Sequence, residues 1–123
     1  MKNLSIKNKK IILFGCTGVL GSEFVNFLTG CGTKLIVADI DKKKLKLICD
    51  KYNLEGFTID ASSEKSVVNN IKNINKKNKT IDCAIYNVAI TSEFLKKKKI
   101  NRNFTKYDLK NWNKTLNVNL TGA

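Results

Sequence analysis

The 123-residue sequence predicts an α/β fold, a doubly wound parallel sheet truncated after its fourth strand and the helix that follows it. Three observations carry that expectation. Short apolar runs rich in branched residues alternate with segments whose apolar residues recur at helical spacing, the pattern of strand-to-strand crossovers in a parallel sheet. Three glycines stand three residues apart directly after the first apolar run, in Gly15-Cys16-Thr17-Gly18-Val19-Leu20-Gly21. An acidic residue, Asp39, closes the second run.

Each element follows in order. The first strand is expected at Ile11 to Phe14, and the helix after the glycines has Phe24, Val25, Phe27 and Leu28 as its apolar face. The second strand is expected at Lys34 to Asp39. Asp41 and Lys42 open the second helix, where an acid suits the positive end, and Leu45, Ile48, Cys49 and Tyr52 make its apolar face. A third strand is expected at Gly56 to Asp60. Ser62 and Ser63 are cap candidates for a third helix with Val67, Val68, Ile71 and Ile74 on one face. The fourth strand is expected within Ile81 to Ala89, and all four strands read as buried on both faces. A long polar connection, Thr91 to Asn103, leads to a last helix from Thr105, with Thr105 and Asp108 at capping-box spacing. Trp112, Leu116 and Asn119 share a face of that helix at i, i+4 and i+7. The expected strand order is 3-2-1-4. Residues 1–123 make about one domain, small for a unit that binds both a dinucleotide and a substrate, so an incomplete domain is expected.

The formal net charge of +13, from 23 Lys plus Arg against 10 Asp plus Glu, raises nucleic acid or an anionic membrane as partners. Apart from Arg102 the positive charge is all Lys, spread along the chain with clusters at Lys42 to Lys44 and Lys96 to Lys99. It reads as a solvated surface, with no nucleic-acid and no membrane partner expected. The Lys42 to Lys44 side chains are expected to point into water. Cys16, Cys31, Cys49 and Cys83 form no C-x-x-C pair, and the sequence has no His to complete a zinc site. No metal is expected, and the cysteines read as reduced thiols, which suits a cytoplasmic protein. The first ten residues lack the apolar core of a signal peptide, and no run approaches the length that crosses a bilayer.

The glycines have a chemical reading in this context. Gly15 can make the tight turn leaving the first strand, Gly18 removes a side chain where a pyrophosphate would approach, and Gly21 lets the helix pack closely on the sheet. The helix offers unpaired N–H groups and a positive dipole end to phosphates. Asp39 lies at about the 20-residue offset of a ribose-binding carboxylate. A glycine-rich turn without a ligand is the bland alternative, and a nucleophilic role for Cys16 has no neighbouring base to support it.

From about Lys9 to Ala123 the chain resembles the short-chain dehydrogenases/reductases. Four places carry the resemblance in order: "GCTGVLG" is similar to the glycine-rich cofactor loop, "VAD" to the acidic end of the second strand, "IDASSEKSV" to the Asp after the third strand, and "LNVNLTG" to the segment with the family's structural and catalytic Asn. The resemblance implies a Rossmann-type fold and an NAD(P)-dependent oxidoreductase, of which this chain is the cofactor-binding half. In the complete enzyme a hydride passes between nicotinamide and a carbonyl or alcohol of a small-molecule substrate. It implies cofactor contacts from Gly15, Cys16, Thr17, Gly18, Val19, Leu20 and Gly21 in the loop, and from Asp39 at the ribose. Asp60 and Ala61 would border the adenine, and Asn87, Val88 and Ala89 would lie beside the cofactor. Asn119 matches the Asn of the catalytic tetrad, where it would hold a water in a proton relay. With Asp39 at the ribose, NAD is expected rather than NADP, and the full-length form is expected to be a homo-oligomer.

The sequence departs from the family pattern in three ways. Many members read N-N-A-G after the fourth strand, whereas this chain has Tyr86-Asn87-Val88-Ala89, so only Asn87 carries over. The loop places Gly at 18 and Val at 19, a G-x-x-G-x-x-G spacing also found in members of surface-polysaccharide pathways. No Tyr is followed four positions on by Lys: Tyr52 meets Gly56, Tyr86 meets Ile90 and Tyr107 meets Asn111. The catalytic Ser and Tyr-x-x-x-Lys are therefore missing, and a truncated gene product, inactive alone, is expected. Two alternatives stay open: a nucleotide-sugar epimerase or dehydratase of the extended branch, and a noncatalytic dinucleotide-binding module.

Overall fold

The computed structural model describes residues 5–91 and 108–123. Four strands form one parallel sheet: β1 (Lys10–Phe14), β2 (Lys34–Asp39), β3 (Glu55–Thr58) and β4 (Cys83–Tyr86). Their order is β3-β2-β1-β4, as the sequence predicts. The chain thus winds outward through β2 and β3, then crosses back over β1 to place β4 on the other side. Ile12 stands level with Ile36 of β2 and Ala84 of β4, so β1 is the central strand. β2 pairs with β3 from Ile36 opposite Glu55 to Asp39 opposite Thr58.

The helices α1 (Val19–Gly30), α2 (Lys42–Tyr52), α3 (Glu64–Lys77) and α4 (Leu109–Leu116) complete the described fold, α4 running on into a π-helical turn, Asn117–Thr121. Two apolar layers lie on opposite faces of the sheet, as alternation along a strand requires. Leu13 and Val37 pack with Val25 and Leu28 of α1 and Leu45 of α2, while Ile12, Ile36 and Ala38 pack with Ile74 of α3.

Several expectations are corrected. Only β1 and β2 have buried runs, Ile11 to Leu13 and Leu35 to Asp39; β3 alternates between part-buried and exposed, and Cys83 and Ala84 of β4 are exposed. Among the described residues these two strands form the edges of the sheet, which a reading of apolar content alone treats as central. β3 also starts one residue earlier and ends at Thr58, and β4 is confined to four residues. The α1 core face is Gly21, Val25 and Leu28, and Phe24 and Phe27 are exposed. The first turn packs through a glycine with no side chain, so a face read from large apolar residues is rotated. Ser63 caps α3, whereas Ser62 bonds Asp60. Asp108 caps α4 itself by accepting from Lys110 N–H. Thr105, the connection from residue 92 to 103, Arg102 and the Lys96 to Lys99 cluster lie outside the described residues.

Candidate functional site

Doubly wound sheets bind ligands at the carboxyl ends of their strands, where the winding reverses. Here the reversal falls between β1 and β4. A cleft of about 720 Å³ opens there, within the range of small-molecule and cofactor sites. A shallower depression of about 400 Å³ lies at the opposite, amino-terminal end of the strands and is lined by Lys10, Lys34 and Glu55. The strand-end rule and the glycine loop both select the larger one.

The glycine loop forms one wall. Gly15 has φ +79, and a Cβ there would lie 2.8 Å from the Asn87 carbonyl oxygen, so both backbone conformation and space demand glycine. A Cβ at Gly21 would lie 2.0 Å from the Gly15 carbonyl oxygen, so α1 packs directly on the loop. Gly18 is different. It sits at the N-cap of α1 in extended backbone, and a Cβ there would meet nothing nearer than 3.8 Å. No side chain caps α1 and no acid lies in its first turn, whereas Asp41, Ser63 and Asp108 cap the other three described α-helices. The positive end of α1 is thus left to whatever occupies the cleft.

The end of β2 builds this loop from behind. The Ala38 carbonyl accepts from Gly15 N–H at 2.8 Å and Cys16 N–H at 3.4 Å. The Asp39 carboxylate accepts from Thr17 N–H at 2.9 Å through one oxygen and from Asp41 N–H at 3.0 Å through the other. Asp39 is the one buried charged residue among those described, and it still lines the cleft. A carboxylate has about four lone-pair positions, so two such bonds leave capacity for a ligand.

The loops after β3 and β4 supply the remaining walls. One Asp60 oxygen accepts from both Ser62 N–H (2.9 Å) and Ser62 Oγ (2.7 Å), and Asp60 N–H donates to Ser66 Oγ, fixing the loop to α3. Asn87 donates through Nδ2 to the Gly15 carbonyl (3.2 Å) and through its backbone N–H to Phe14 (3.0 Å), tying β4 to the glycine loop. Asn119 Oδ1 accepts from Ile90 N–H at 2.8 Å and its Nδ2 donates to the Ile90 carbonyl at 2.9 Å. Its amide is committed to the backbone of one cleft residue.

The structure sorts the sequence-predicted residues into three groups. Gly15, Thr17, Gly18, Asp39 and Asp60 line the cleft, as do Ala61, Asn87, Val88 and Ala89. Cys16 and Gly21 are buried beneath the loop, where burial first and the Asp39 charge second push the Cys16 thiol up to about 12. Val19 and Leu20 are exposed on the first turn of α1 and do not line the cleft, nor does the Asn119 side chain. Sequence reasoning missed ten lining residues, among them Ile40, Lys44, Ile90, Lys114 and Val118. Lys44 lines the cleft with Nζ 3.8 Å from the Asp41 carboxylate, and its side chain stays mostly exposed, so the expectation that the lysine run faces water holds. Its spacing after the capping Asp41 was the available signal.

The family model described as short chain dehydrogenase matches residues 9–123. The chain belongs to the short-chain dehydrogenase family. No curated protein matches it by sequence. Among solved structures it resembles a short-chain dehydrogenase/reductase from Brucella melitensis described as glucose/ribitol dehydrogenase, with TM-score 0.80 and 19% identity over 96% of this chain and 48% of that one. It also resembles the 3-ketoacyl-(acyl-carrier-protein) reductase of Brucella melitensis complexed with NADH, with TM-score 0.82 and 18% identity over 96% and 47% of the two chains. A short chain dehydrogenase from Mycobacterium smegmatis gives TM-score 0.80 and 18% identity, covering 96% and 48%. This short-chain dehydrogenase chain therefore spans about half the length of the solved structures it matches. Among the described residues no helix is long and apolar enough to cross a membrane, and no cluster of acidic residues and cysteines is placed to hold a metal ion.

Proposed function

We propose that this chain is the nicotinamide-dinucleotide-binding half of an NAD(P)-dependent oxidoreductase acting on a small carbonyl or alcohol substrate. The carrying observation is Gly18. Gly15 and Gly21 are explained by the protein's own packing, but among the described residues nothing comes closer than 3.8 Å to where a Gly18 side chain would lie. That space lies at the uncapped end of α1, where a pyrophosphate would accept from backbone N–H groups and meet the positive helix end. The donor set fits the group. Asp39 and the loop N–H groups would hold the ribose and the phosphates, the Asp60-Ala61 turn would border the adenine, and Asn87 would keep the loop in register with β4.

When bound, the nicotinamide supplies the hydride. The residues of this chain bind and orient. Tyr-x-x-x-Lys is absent from the sequence, so the proton-handling group of the family is not among them, and the chain alone is expected to be inactive. NAD is the favoured cofactor because the Asp39 carboxylate lines the cleft and would repel a 2′-phosphate on the ribose. Ile40, the next residue, offers no cation, and Lys44 is already within reach of Asp41.

Fluorescence titration of the purified chain with NADH, NADPH and a duplex oligonucleotide tests this reading, each at low and raised salt. Saturable NADH binding tighter than NADPH is expected. Failure of NADH to bind, together with oligonucleotide binding that collapses steeply with salt, would transfer the function to the basic surface.

A further inference from the structure

We infer that Tyr86 is a positioning residue for the cofactor cleft, holding the Val118-Asn119 stretch of the last helix against the end of β4. For its binding arm the inference rests on the dinucleotide reading above. Tyr86 stands where many family members carry Asn, and its longer side chain reaches across to the helix: its hydroxyl donates to the Val118 carbonyl. Val118 lines the cleft and is buried.

The carbonyl it meets is one the helix itself releases. At the π-helical turn Asn117–Thr121, Gly122 N–H bonds the Asn117 carbonyl at 2.9 Å and Ala123 N–H bonds the Leu120 carbonyl at 3.2 Å. Those are the two donors that a continued α or π pattern would bring to Val118. Tyr86 supplies the replacement. The turn also closes tightly around the hydroxyl, since a Cβ at Gly122 would lie 2.9 Å from it and 2.5 Å from the Ala61 carbonyl oxygen. On its other side the Tyr86 ring packs on Phe14, with centroids 6.3 Å apart, and Phe14 leads directly into the glycine loop. Burial raises the Tyr86 pKa, so the hydroxyl stays a neutral donor.

Asn119 completes a reciprocal clamp. From the strand side Tyr86 holds Val118; from the helix side the next residue, Asn119, holds both backbone groups of Ile90. Loss of the first tether should therefore loosen the second. In the 123-residue chain, Tyr86→Phe removes only the hydroxyl, and Tyr86→Asn restores the common family residue without its reach. Amide exchange is read by NMR at Ile90, whose N–H is held by Asn119, and at Leu13 in the central strand, with NADH titration in parallel. Both variants are expected to accelerate Ile90 exchange by roughly fivefold, the worth of one hydrogen bond, with Leu13 unchanged and NADH bound more weakly. Unchanged Ile90 exchange overturns the inference. So does equal acceleration at Ile90 and Leu13, which would make Tyr86 merely structural. If the wild-type chain does not bind NADH the cofactor reading fails, and the exchange comparison still decides the clamp.

Discussion

The three loop glycines should separate under substitution by alanine, because the structure gives them different reasons to be glycine. At Gly21 the new methyl would lie 2.0 Å from the Gly15 carbonyl oxygen and 2.9 Å from Cys16 backbone atoms. Relief requires α1 and the loop to part by on the order of 1 Å, which puts Gly21→Ala at the upper end of overpacking costs, about 3 kcal/mol. Against a total stability of roughly 6–18 kcal/mol for a chain this size, that is a large loss. With a urea slope of about 2 kcal/mol/M it lowers the unfolding midpoint by about 1.5 M. At Gly18 the backbone is one alanine adopts, and the methyl makes only an ordinary van der Waals contact, 3.8 Å from the Gly15 carbonyl oxygen. The entropy gained from a stiffer unfolded chain offsets the poorer cap, leaving stability within about 0.5 kcal/mol of wild type. Binding should behave in the opposite sense. A methyl at the head of α1 pushes a phosphate away from the helix N–H groups, and losing one charge-assisted bond costs about 1.5–3 kcal/mol, tenfold or more in NADH affinity. Urea unfolding and NADH fluorescence on the two variants make the measurement. A Gly18→Ala chain that binds NADH as tightly as wild type, or unfolds as early as Gly21→Ala, would refute the assignment of that space to a phosphate.

Three further outcomes are expected. Asp39→Asn keeps one accepting oxygen but sets an amide donor against a backbone N–H, so it should lose about 2–3 kcal/mol of stability and weaken NADH more than NADPH, whose 2′-phosphate is no longer repelled; undiminished stability with a reversed cofactor preference would mean the carboxylate serves the ribose alone. Cys16, buried and with its thiol pushed up to about 12, should resist iodoacetamide at pH 8 while exposed Cys83 is labelled, and peptide mapping that finds both labelled equally fast would contradict the packing. The pKa of Glu55 is lowered chiefly by its hydrogen bond from Lys77, and that of Asp82 by the Lys10 backbone N–H and then Lys9, so both stabilise the fold above their ordinary values of 4.5 and 3.8. Their contribution is lost as pH falls through the depressed folded values, and Asp82→Asn should flatten the lower part of the acid unfolding curve; an unaltered curve would count against the Asp82 pairing.

Much of this architecture was legible because it depends on local period and on special residues. The strand order, the α2 face and the carboxylate at the end of β2 all follow from spacing that a linear reading can count. The α1 face was misread because its closest contact is made by Gly21, a residue with no side chain to score, while Phe24 and Phe27 carry hydrophobicity outward. Edge status of β3 and β4 was hidden for a related reason. Apolar content reports what a strand can bury, and pairing partners decide what it does bury. At the cleft, residues within a motif were found and residues brought in by tertiary approach were not. Lys114 and Val118 line the cleft from the last helix, which bonds β4 through Tyr86 and the loop after it through Asn119.

The placement of Asp39 resolves an electrostatic tension in the site. A carboxylate close to a phosphate loop would oppose the ligand it is meant to serve, and a bare charge at this depth would be costly to bury. On the dinucleotide reading proposed above, the two functions would fall on different groups. Asp39 accepts from Thr17 N–H and Asp41 N–H, so its charge is spread into backbone dipoles that belong to the loop and to the start of α2. The N–H groups at the head of α1, beginning at Gly18, are left without a side-chain cap. Thus the second strand, twenty-two residues downstream of Thr17, fixes the loop's shape before any ligand arrives. Preorganisation of this kind would lower the ordering cost of binding, because a phosphate would meet a loop whose shape is already fixed. It also makes the glycine loop and Asp39 a single structural unit, so that under the proposed cofactor reading substitution at Asp39 should act on phosphate binding and on ribose recognition at once.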